Sequence, residues 1–223
     1  MHVLRVRRSE PVVVLDGAGT ELQCEVAELR HNSVVLAVLK RISIPPLPWR
    51  ITLVQSIPKG KVFDSIVQKA TEIGAARIVP LLSERVVTRL DVERADSRVE
   101  HWRKTAIEAV KQCGSPWLPK IDPPMTPAQF LGRREDFDLS LIASLQPGGR
   151  HPRDWFLDFQ SETGFRPKSI CVWVGPEGDF TADEIEMIRR GRAHPITLGK
   201  LVLRSDTAAV YCLSVLSYEL SAN

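Results

Sequence analysis

The strongest constraint on the fold is an arrangement that occurs twice between residues 169 and 220. In each copy a short apolar strand, predicted at 170–174 and at 196–198, runs into a glycine-containing loop that opens a helix. Because glycine has no Cβ, the backbone N–H groups of such a loop can approach a ligand closely. In open α/β sheets these loops lie beyond the carboxyl ends of the strands, where ligands bind. Two such loops so close in the sequence predict one composite pocket.

From residue 51 onward, predicted strands alternate with predicted helices. The strands are expected at 51–57, 77–82, 137–145 and 169–174. The apolar face of the first helix is Val62, Phe63, Ile66, Val67, Ala70 and Ile73, and that of the second is Val99, Trp102, Ala106, Ala109, Val110 and Cys113. A glycine ends each helix in the usual C-terminal position. Helices between successive strands imply an α/β fold with a largely parallel sheet covered on both faces.

The N-terminal part of the chain has a different character. Residues 3–42 contain about four short β-like runs and no pattern of helical length, which predicts a small antiparallel barrel or sheet. The run Ile44-Pro-Pro-Leu-Pro-Trp49 then favours a stiff, extended linker. We therefore predict an N-terminal β domain at 1–44, a proline-rich linker at 45–50 and a second domain at 51–223. The basic residues Arg5, Arg7 and Arg8 either contact phosphate or keep an edge strand soluble.

Composition excludes several classes of protein. No apolar run approaches the roughly 18 residues that a membrane span needs, and the first residues lack the pattern of a secretory signal. The four cysteines are scattered without a C-x-x-C pair, which argues against a zinc site and for reduced thiols in a cytoplasmic protein. A net charge of +3 permits a polyanionic partner without demonstrating one.

The first glycine loop is Gly175-Pro-Glu-Gly178, and Thr181-x-x-Glu184 behind it predicts a capping box. Glu177 is either a carboxylate of the pocket or a solvated turn residue. In the second loop, at 198–207, Ser205 or Asp206 could cap the final helix. Arg204 of that loop either serves the pocket or pairs with Asp206 or Glu177.

Neither loop matches a known phosphate-binding or hydrolytic motif. The chain has no G-x-x-x-x-G-K-[ST], no G-x-G-x-x-G after a strand, no G-x-S-x-G and no H-E-x-x-H. The five histidines are dispersed. Hydrolase and metalloenzyme interpretations therefore lose their main support, and no metal site is expected. A pocket built from backbone and aliphatic groups suits a flat, weakly charged ligand such as an adenosine.

Two segments carry a resemblance to a known family. VGPEGDFTADE and LGKLVLRSDTA resemble the paired C-terminal motifs of the SPOUT methyltransferases, and most of all those of the ribosomal RNA small subunit methyltransferase E family. Upstream, Lys59-Gly-Lys61 and the segments at 66–74, 78–80 and 83–85 are also similar to that family. The family methylates N3 of a uridine in 16S ribosomal RNA.

The resemblance implies a trefoil-knotted parallel sheet that binds S-adenosylmethionine, with a small PUA-like N-terminal β-barrel that engages RNA. It also implies a homodimer that acts on ribosomal RNA in the assembled small subunit. A second interpretation is a catalytically impaired RNA-binding or ribosome-assembly protein with the same fold. A third is a SPOUT methyltransferase for another RNA base, because target choice has no short motif.

The resemblance also implies roles for individual residues. The implied cofactor-binding residues are Ser144, Leu145, Gly175, Pro176, Glu177, Gly178, Leu198, Gly199, Leu203, Arg204 and Ser205. Ser144 and Leu145 could equally be ordinary strand-end packing. We expect Arg204 to stabilise the uridine anion that develops when N3 loses its proton. Asp206 or Glu177 is then the expected proton acceptor.

The chain also departs from the family pattern. The family usually reads GPEGG where this chain has Asp179, and it usually has arginine and glutamate at the positions of Leu201 and Asp206. It normally starts with a further strand before the segment matching His2-Val-Leu-Arg5, which indicates either a truncated N-terminal domain or a mis-assigned start. The loss of the arginine at position 201 bears more on RNA docking and activity than on cofactor binding, which backbone groups are expected to provide.

Overall fold

The computed structural model describes residues 7–85 and 92–221 and contains two sheets. The smaller sheet is antiparallel in the order β1-β2-β3 and is formed by β1 (Pro11–Leu15), β2 (Thr20–Leu29) and β3 (Val34–Ser43). The larger is formed by β4 (Arg50–Ser56), β5 (Arg77–Leu81), β6 (Lys120–Ile121), β7 (Leu139–Ala143), β8 (Ser169–Val174) and β9 (Ala193–Ile196). Its order is β6-β5-β4-β8-β7-β9, and every adjacent pair is parallel.

Six helices are seen in the described ranges. They are α1 (Val62–Glu72), α2 (Val92–Cys113), α3 (Pro127–Gly132), α4 (Pro152–Thr163), α5 (Ala182–Arg190) and α6 (Ser205–Ser221). None of these helices is long and apolar enough to cross a membrane.

The larger sheet separates two apolar cores. On one face α1, α2, α4 and α6 bury Phe63, Trp102, Phe156 and Leu213 against the sheet. On the other face α3 and α5 bury side chains such as Phe130, Ile185 and Ile188. The central strands β4 and β8 are buried on both faces, which is why β8 reads as an almost continuous apolar run. The prediction of a parallel α/β sheet covered on both faces is confirmed.

Several predicted elements differ from those observed. The second strand of the repeated arrangement is β9, which ends at Ile196, so that residues 197–198 already belong to the loop. On the predicted face of α2, Val99 is partly buried and Cys113 is exposed, and the other members are buried. Helices α3 and α4 were not predicted. Each starts with a proline, which in a sequence usually indicates the end of a helix. Proline nevertheless fits the first helical turn, because a backbone N–H at that position has no acceptor within the helix.

The small antiparallel sheet is not a closed barrel, so the prediction of a barrel is wrong for the described residues. Three strands are seen instead of about four, and the first predicted run lies partly in residues 1–6, outside the described residues. The physical reason is the small amount of buried surface. Of the hydrophobic residues of β1, β2 and β3, only Cys24 and Val26 are buried. A closed barrel encloses a layer of inward-facing side chains on every strand, and β3 is largely exposed.

The small sheet is joined to the larger unit at one turn. The N–H of Gly19 donates to the carbonyl of Pro116 at 3.0 Å, and the N–H of Leu118 donates to that of Gly17 at 3.0 Å. The Trp117 indole N–H donates to Ile44 O at 3.1 Å, at the start of the proline-rich segment. A Cβ added at Gly19 would lie 2.3 Å from the Trp117 ring. Only glycine therefore allows the turn to approach this ring so closely.

Candidate active site

A pocket lies where the loops after β7, β8 and β9 meet. Because these strands are parallel, their carboxyl ends open at the same edge of the sheet. The cavity measures about 350 Å³, which lies within the range of roughly 300–1,000 Å³ for small-ligand sites. It is lined by residues 143–149, by residues 174–177 with Asp179, by residues 197–203, and by Ser205 and Ala208. The composite pocket predicted from the two glycine loops thus includes a third loop.

The loop after β8 is folded tightly around Asp179. The N–H of Asp179 donates to Pro176 O at 2.9 Å, and this bond closes a turn over Glu177 and Gly178. Asp179 itself has φ 61°, a left-handed conformation that aspartate tolerates better than most residues. Gly175 packs tightly beside it, because a Cβ there would lie 3.1 Å from Asp179 Oδ1 and 3.2 Å from Phe180 N.

The Asp179 carboxylate joins two of the pocket loops. Its Oδ2 accepts the N–H of Leu145 at 2.8 Å, and its Oδ1 accepts that of Phe180 at 2.8 Å. The residue is only 7% exposed. A carboxylate that accepts two backbone N–H groups fixes both of them, since each bond to a charged acceptor is stronger than a neutral one. The residue that departs from the family pattern therefore has a structural role in holding the loop after β7.

A buried chain of hydrogen bonds lies beneath the pocket. The hydroxyl of Ser205, the first residue of α6, donates to Gly175 O at 2.9 Å and accepts from Gln55 Nε2 at 2.9 Å. Gln55, the penultimate residue of β4, is fully buried and also donates to Ser56 O at 2.9 Å. The start of the last helix is thereby tied to the loop after β8 and to the centre of the sheet. Gln55 was not singled out from the sequence, because it lies 150 residues from its partner.

The loop after β7 runs against the backbone of β9. Arg150 N donates to Pro195 O at 3.2 Å, and Thr197 N donates to Arg150 O at 3.0 Å. A Cβ added at Gly149 would lie 2.8 Å from the carbonyl carbon of Ile196 and 2.9 Å from Thr197 N. Glycine is required here because two backbones pass in contact.

Replacing Gly149 by alanine is expected to lower the free energy of unfolding by about 1–3 kcal/mol, because the new Cβ meets backbone atoms that cannot rotate away. Urea unfolding of the full chain measures this loss. Gly178→Ala is the matched control, since a Cβ at Gly178 meets only the Arg85 side chain, at an ordinary 3.6 Å. Equal stabilities for the two variants would show that the contact between Gly149 and β9 is not tight.

Most of the predicted cofactor-binding residues line this pocket. They are Ser144, Leu145, Gly175, Pro176, Glu177, Leu198, Gly199, Leu203 and Ser205. Gly178 and Arg204 do not line it, although Arg204 is an exposed residue between the lining residues Leu203 and Ser205. Of the predicted catalytic residues only Glu177 lines the pocket, and it is exposed. The Asp206 carboxylate accepts the N–H of Thr207 at 2.9 Å, within its own helix.

The lining also contains residues that were not among the predicted site residues. They are Ala143, Gln146, Pro147, Gly148, Gly149, Val174, Asp179, Thr197, Lys200, Leu201, Val202 and Ala208. Part of this set carried a readable signal, because Gln146-Pro-Gly-Gly149 follows a predicted strand, as the other two glycine loops do. The ionisable residues of the whole lining are Glu177, Asp179 and Lys200, that is, two carboxylates and one ammonium group. This excess of negative charge suits a ligand with positive charge.

The predicted capping box at the start of α5 is confirmed. Thr181 Oγ1 accepts the N–H of Glu184 at 3.3 Å, and Glu184 Oε2 accepts the N–H of Thr181 at 3.0 Å. The other oxygen, Glu184 Oε1, accepts the N–H of Glu84 at 2.9 Å. Glu184 therefore also ties α5 to the segment after β5. The charged residues at 84–89 predict a connector, and residues 86–89 of it lie outside the described residues.

Comparison of the sequence with known proteins identifies the family to which this fold and pocket belong. The model of a family described as RNA methyltransferase domain matches residues 45–217. A ribosomal RNA small subunit methyltransferase E of Buchnera aphidicola is 31% identical over 96% of this chain and 81% of its own length. The chain belongs to this RNA methyltransferase family.

Two solved structures are similar over nearly the whole chain. A Legionella pneumophila protein solved in complex with the bound cofactor SAM is 29% identical, with a TM-score of 0.87 over 97% of this chain and 86% of that one. The ribosomal RNA small subunit methyltransferase E of Neisseria gonorrhoeae, bound to S-adenosyl methionine, is 28% identical. Its TM-score is 0.85 over 98% of this chain and 87% of its own. The resemblance read from the two C-terminal motifs is confirmed.

Proposed function

We propose that this protein transfers a methyl group from S-adenosylmethionine to N3 of a uridine in 16S ribosomal RNA. The observation that carries the proposal is the pocket formed by three glycine-bearing loops at the carboxyl ends of β7, β8 and β9. The relatives named ribosomal RNA small subunit methyltransferase E support the substrate, and the two structures with bound cofactor support the methyl donor.

The residues of the pocket fit S-adenosylmethionine. This cofactor supplies an electrophilic methyl group on a positively charged sulfur. Glu177 and Asp179 give the lining an excess of negative charge over Lys200, and the aliphatic side chains of Leu198 and Leu203 provide an apolar surface. Four of the lining residues are glycines, which have no Cβ and so leave their backbone N–H and C=O groups accessible to a ligand. Because the pocket has no phosphate-binding motif, we expect these backbone groups to bind the cofactor.

Positioning is the main contribution we assign to this chain. Methyl transfer needs an in-line approach of the nucleophile, and holding reactants in that geometry can supply a large part of the rate. The hydrogen bonds of Asp179 fix the loop after β7 to the loop after β8. Those of Ser205 fix the loop after β8 to α6. The three loops are therefore held together before a ligand arrives.

Arg204 and an acidic residue are proposed to act on the uridine. N3 must lose its proton to become a good nucleophile, and a guanidinium beside it would stabilise the resulting anion. The Arg204 side chain is exposed and follows a residue of the pocket lining, where an incoming base would reach it. Glu177 is the better supported proton acceptor, because it is exposed at the pocket whereas Asp206 accepts a bond within α6.

We also propose a homodimer with a trefoil-knotted larger domain at 51–223, joined through the linker at 45–50 to an N-terminal sheet that engages RNA. Two exposed apolar residues of the pocket lining support a second copy of the chain: Leu201 is 80% exposed and Val202 is 73% exposed. The resemblance of the two C-terminal motifs to those of the SPOUT methyltransferases supports the knot. The substrate would be the assembled small subunit in the cytoplasm.

Mapping of small-subunit ribosomal RNA by mass spectrometry tests the proposed function. In a strain from which the gene is deleted, one uridine is expected to lose a methyl group at N3, and the intact chain is expected to restore it. Loss of a methyl group from another base would indicate a different target. An unchanged modification pattern would contradict the proposal and favour an RNA-binding or assembly role without catalysis.

A further inference from the structure

A second cleft lies beside the pocket, on the other side of Gly148, which lines both cavities. It measures about 380 Å³. We call it the arginine cleft, and its lining consists of Gly148, Arg150, Trp155, Arg189, Arg192, Ala193, His194 and Pro195. Its three arginines come from the loop after β7, from the last turn of α5 and from the turn before β9. Arg189 and Arg192 are close in the sequence, and the fold brings Arg150 beside them.

Arg192 reaches this cleft through an unusual backbone conformation. At the end of a helix the left-handed position usually falls on a glycine. Here Gly191 has φ −73° and the following Arg192 has φ 67°. Gly191 serves packing instead, because a Cβ on it would lie 2.5 Å from Leu131 Cδ2. A left-handed non-glycine residue is strained, and such strain is often found at functional positions.

The charge of the cleft is only partly neutralised. Arg150 pairs with Asp158 at 2.7 Å, whereas Arg189 and Arg192 form no salt bridge in the part of the chain that the structure describes. His194 adds no charge near neutral pH, because burial lowers its pKa and outweighs the opposing effect of Glu162. Two guanidinium groups are thus available to an anion.

Stacked side chains form the floor of the cleft. The Trp155 ring stacks on His194 with centroids 4.2 Å apart, and the Arg150 guanidinium lies 4.4 Å from the Trp155 ring centroid. The Trp155 indole N–H donates to Pro195 O at 3.1 Å. These contacts fix Arg150 between Trp155 and Asp158, so that less side-chain entropy is lost when an anion binds.

We propose that the arginine cleft binds the phosphate backbone of the RNA substrate next to the nucleotide that enters the pocket. The inference rests on the proposed function, because it assigns a second contact to the same substrate. Guanidinium groups bind phosphate oxygens through paired, charge-assisted hydrogen bonds. Phosphate contacts position a nucleic acid without reading its sequence. Because the arginine cleft lies beside Gly148 of the pocket, phosphate contacts in it would orient the RNA backbone relative to the target uridine.

The test is the double variant Arg189→Ala with Arg192→Ala in the full chain. Its affinity for a labelled polyuridylate is measured over a salt series and compared with that of the unmodified chain. For single-stranded nucleic acid, each lost phosphate contact is expected to reduce the slope of log K against log salt by about 0.7. With small ribosomal subunits as substrate, KM is expected to rise about tenfold while kcat is retained, because the contact serves binding.

Arg190→Ala is the matched control. Arg190 neighbours Arg189 on α5 but pairs with Glu186 at 3.0 Å and does not line the cleft. We expect it to keep the affinity and the salt slope of the unmodified chain. An unchanged slope in the double variant, an equal loss in Arg190→Ala, or no binding of polyuridylate by the unmodified chain would each overturn the proposal. Calorimetry with S-adenosylmethionine distinguishes this failure from failure of the proposed function, since the cofactor should bind all three proteins equally.

Discussion

Replacing Arg204 by alanine is expected to lower methyl transfer to small ribosomal subunits by about 100- to 1,000-fold. That is the usual effect of removing one group that stabilises charge in the transition state. Binding of S-adenosylmethionine should change little, because Arg204 does not line the pocket and its side chain is exposed. Single-turnover rates with labelled cofactor, together with calorimetry, measure the two effects separately.

The rate of methyl transfer by Arg204→Lys tests whether positive charge alone is sufficient at this position. Lysine keeps the positive charge but loses the planar pair of donors, so its rate is expected to lie between those of the alanine variant and the unmodified chain. Retained turnover in Arg204→Ala would refute the assignment. An equal loss of cofactor affinity and rate would make Arg204 a binding residue instead.

Replacing Arg77 by methionine is expected to lower the free energy of unfolding by about 2–3 kcal/mol. Arg77 begins β5 and donates to the carboxylates of Asp122 and Glu135. The Asp122 side chain is only 1% exposed, and removing one partner of a buried ion pair leaves a charge that water cannot reach. Lys120 and Arg133 remain beside Asp122, at 3.2 Å and 2.7 Å, which limits the loss. Urea unfolding at neutral pH measures it.

Arg133→Met is the control, because Arg133 contacts the same carboxylate but its side chain is 39% exposed. A loss below about 1 kcal/mol is expected for such an exposed pair. Equal losses in the two variants would argue against a special role for the buried contact.

Acidification should reduce the difference between Arg77→Met and the unmodified chain. Burial alone would raise the pKa of Asp122, but the bonds and charges of Arg77 and Lys120 lower it below the ordinary value of 3.8. A carboxyl group with a lowered pKa stabilises the folded state above its unfolded pKa, and this stabilisation is lost as the pH falls through the folded pKa. A difference in unfolding free energy that stays constant below pH 3.8 would contradict this account.

The sequence predicted best those elements whose pattern is local. The apolar run of β8 and the apolar faces of α1 and α2 follow from periodicity alone, because β8 is buried on both faces and each helix packs one face against the sheet. The capping box at Thr181 was readable for the same reason, since both partners lie within one turn. Helix α4 was missed because its proline start reads as a breaker and Leu157 on it is exposed.

The contacts that hold the site together are not local, and the sequence did not reveal them. The bond between Gln55 and Ser205 joins residues 150 positions apart, and that between Asp179 and Leu145 joins residues 34 apart. The glycine loops did indicate where the pocket lies, because a Cβ at Gly149 or Gly175 would crowd its neighbours. The resemblance supplied the methyl donor, which no pattern of charge or periodicity could name.

Calorimetric titration of the full chain with S-adenosylmethionine tests the central claim most directly. The claim is that the loops at 143–149, 174–179 and 197–205 together form the binding site for the methyl donor. Saturable binding at a single site per chain is the predicted result. A titration without binding heat at any temperature would contradict the account, and the chain would then be an RNA-binding relative that has kept the fold without the reaction.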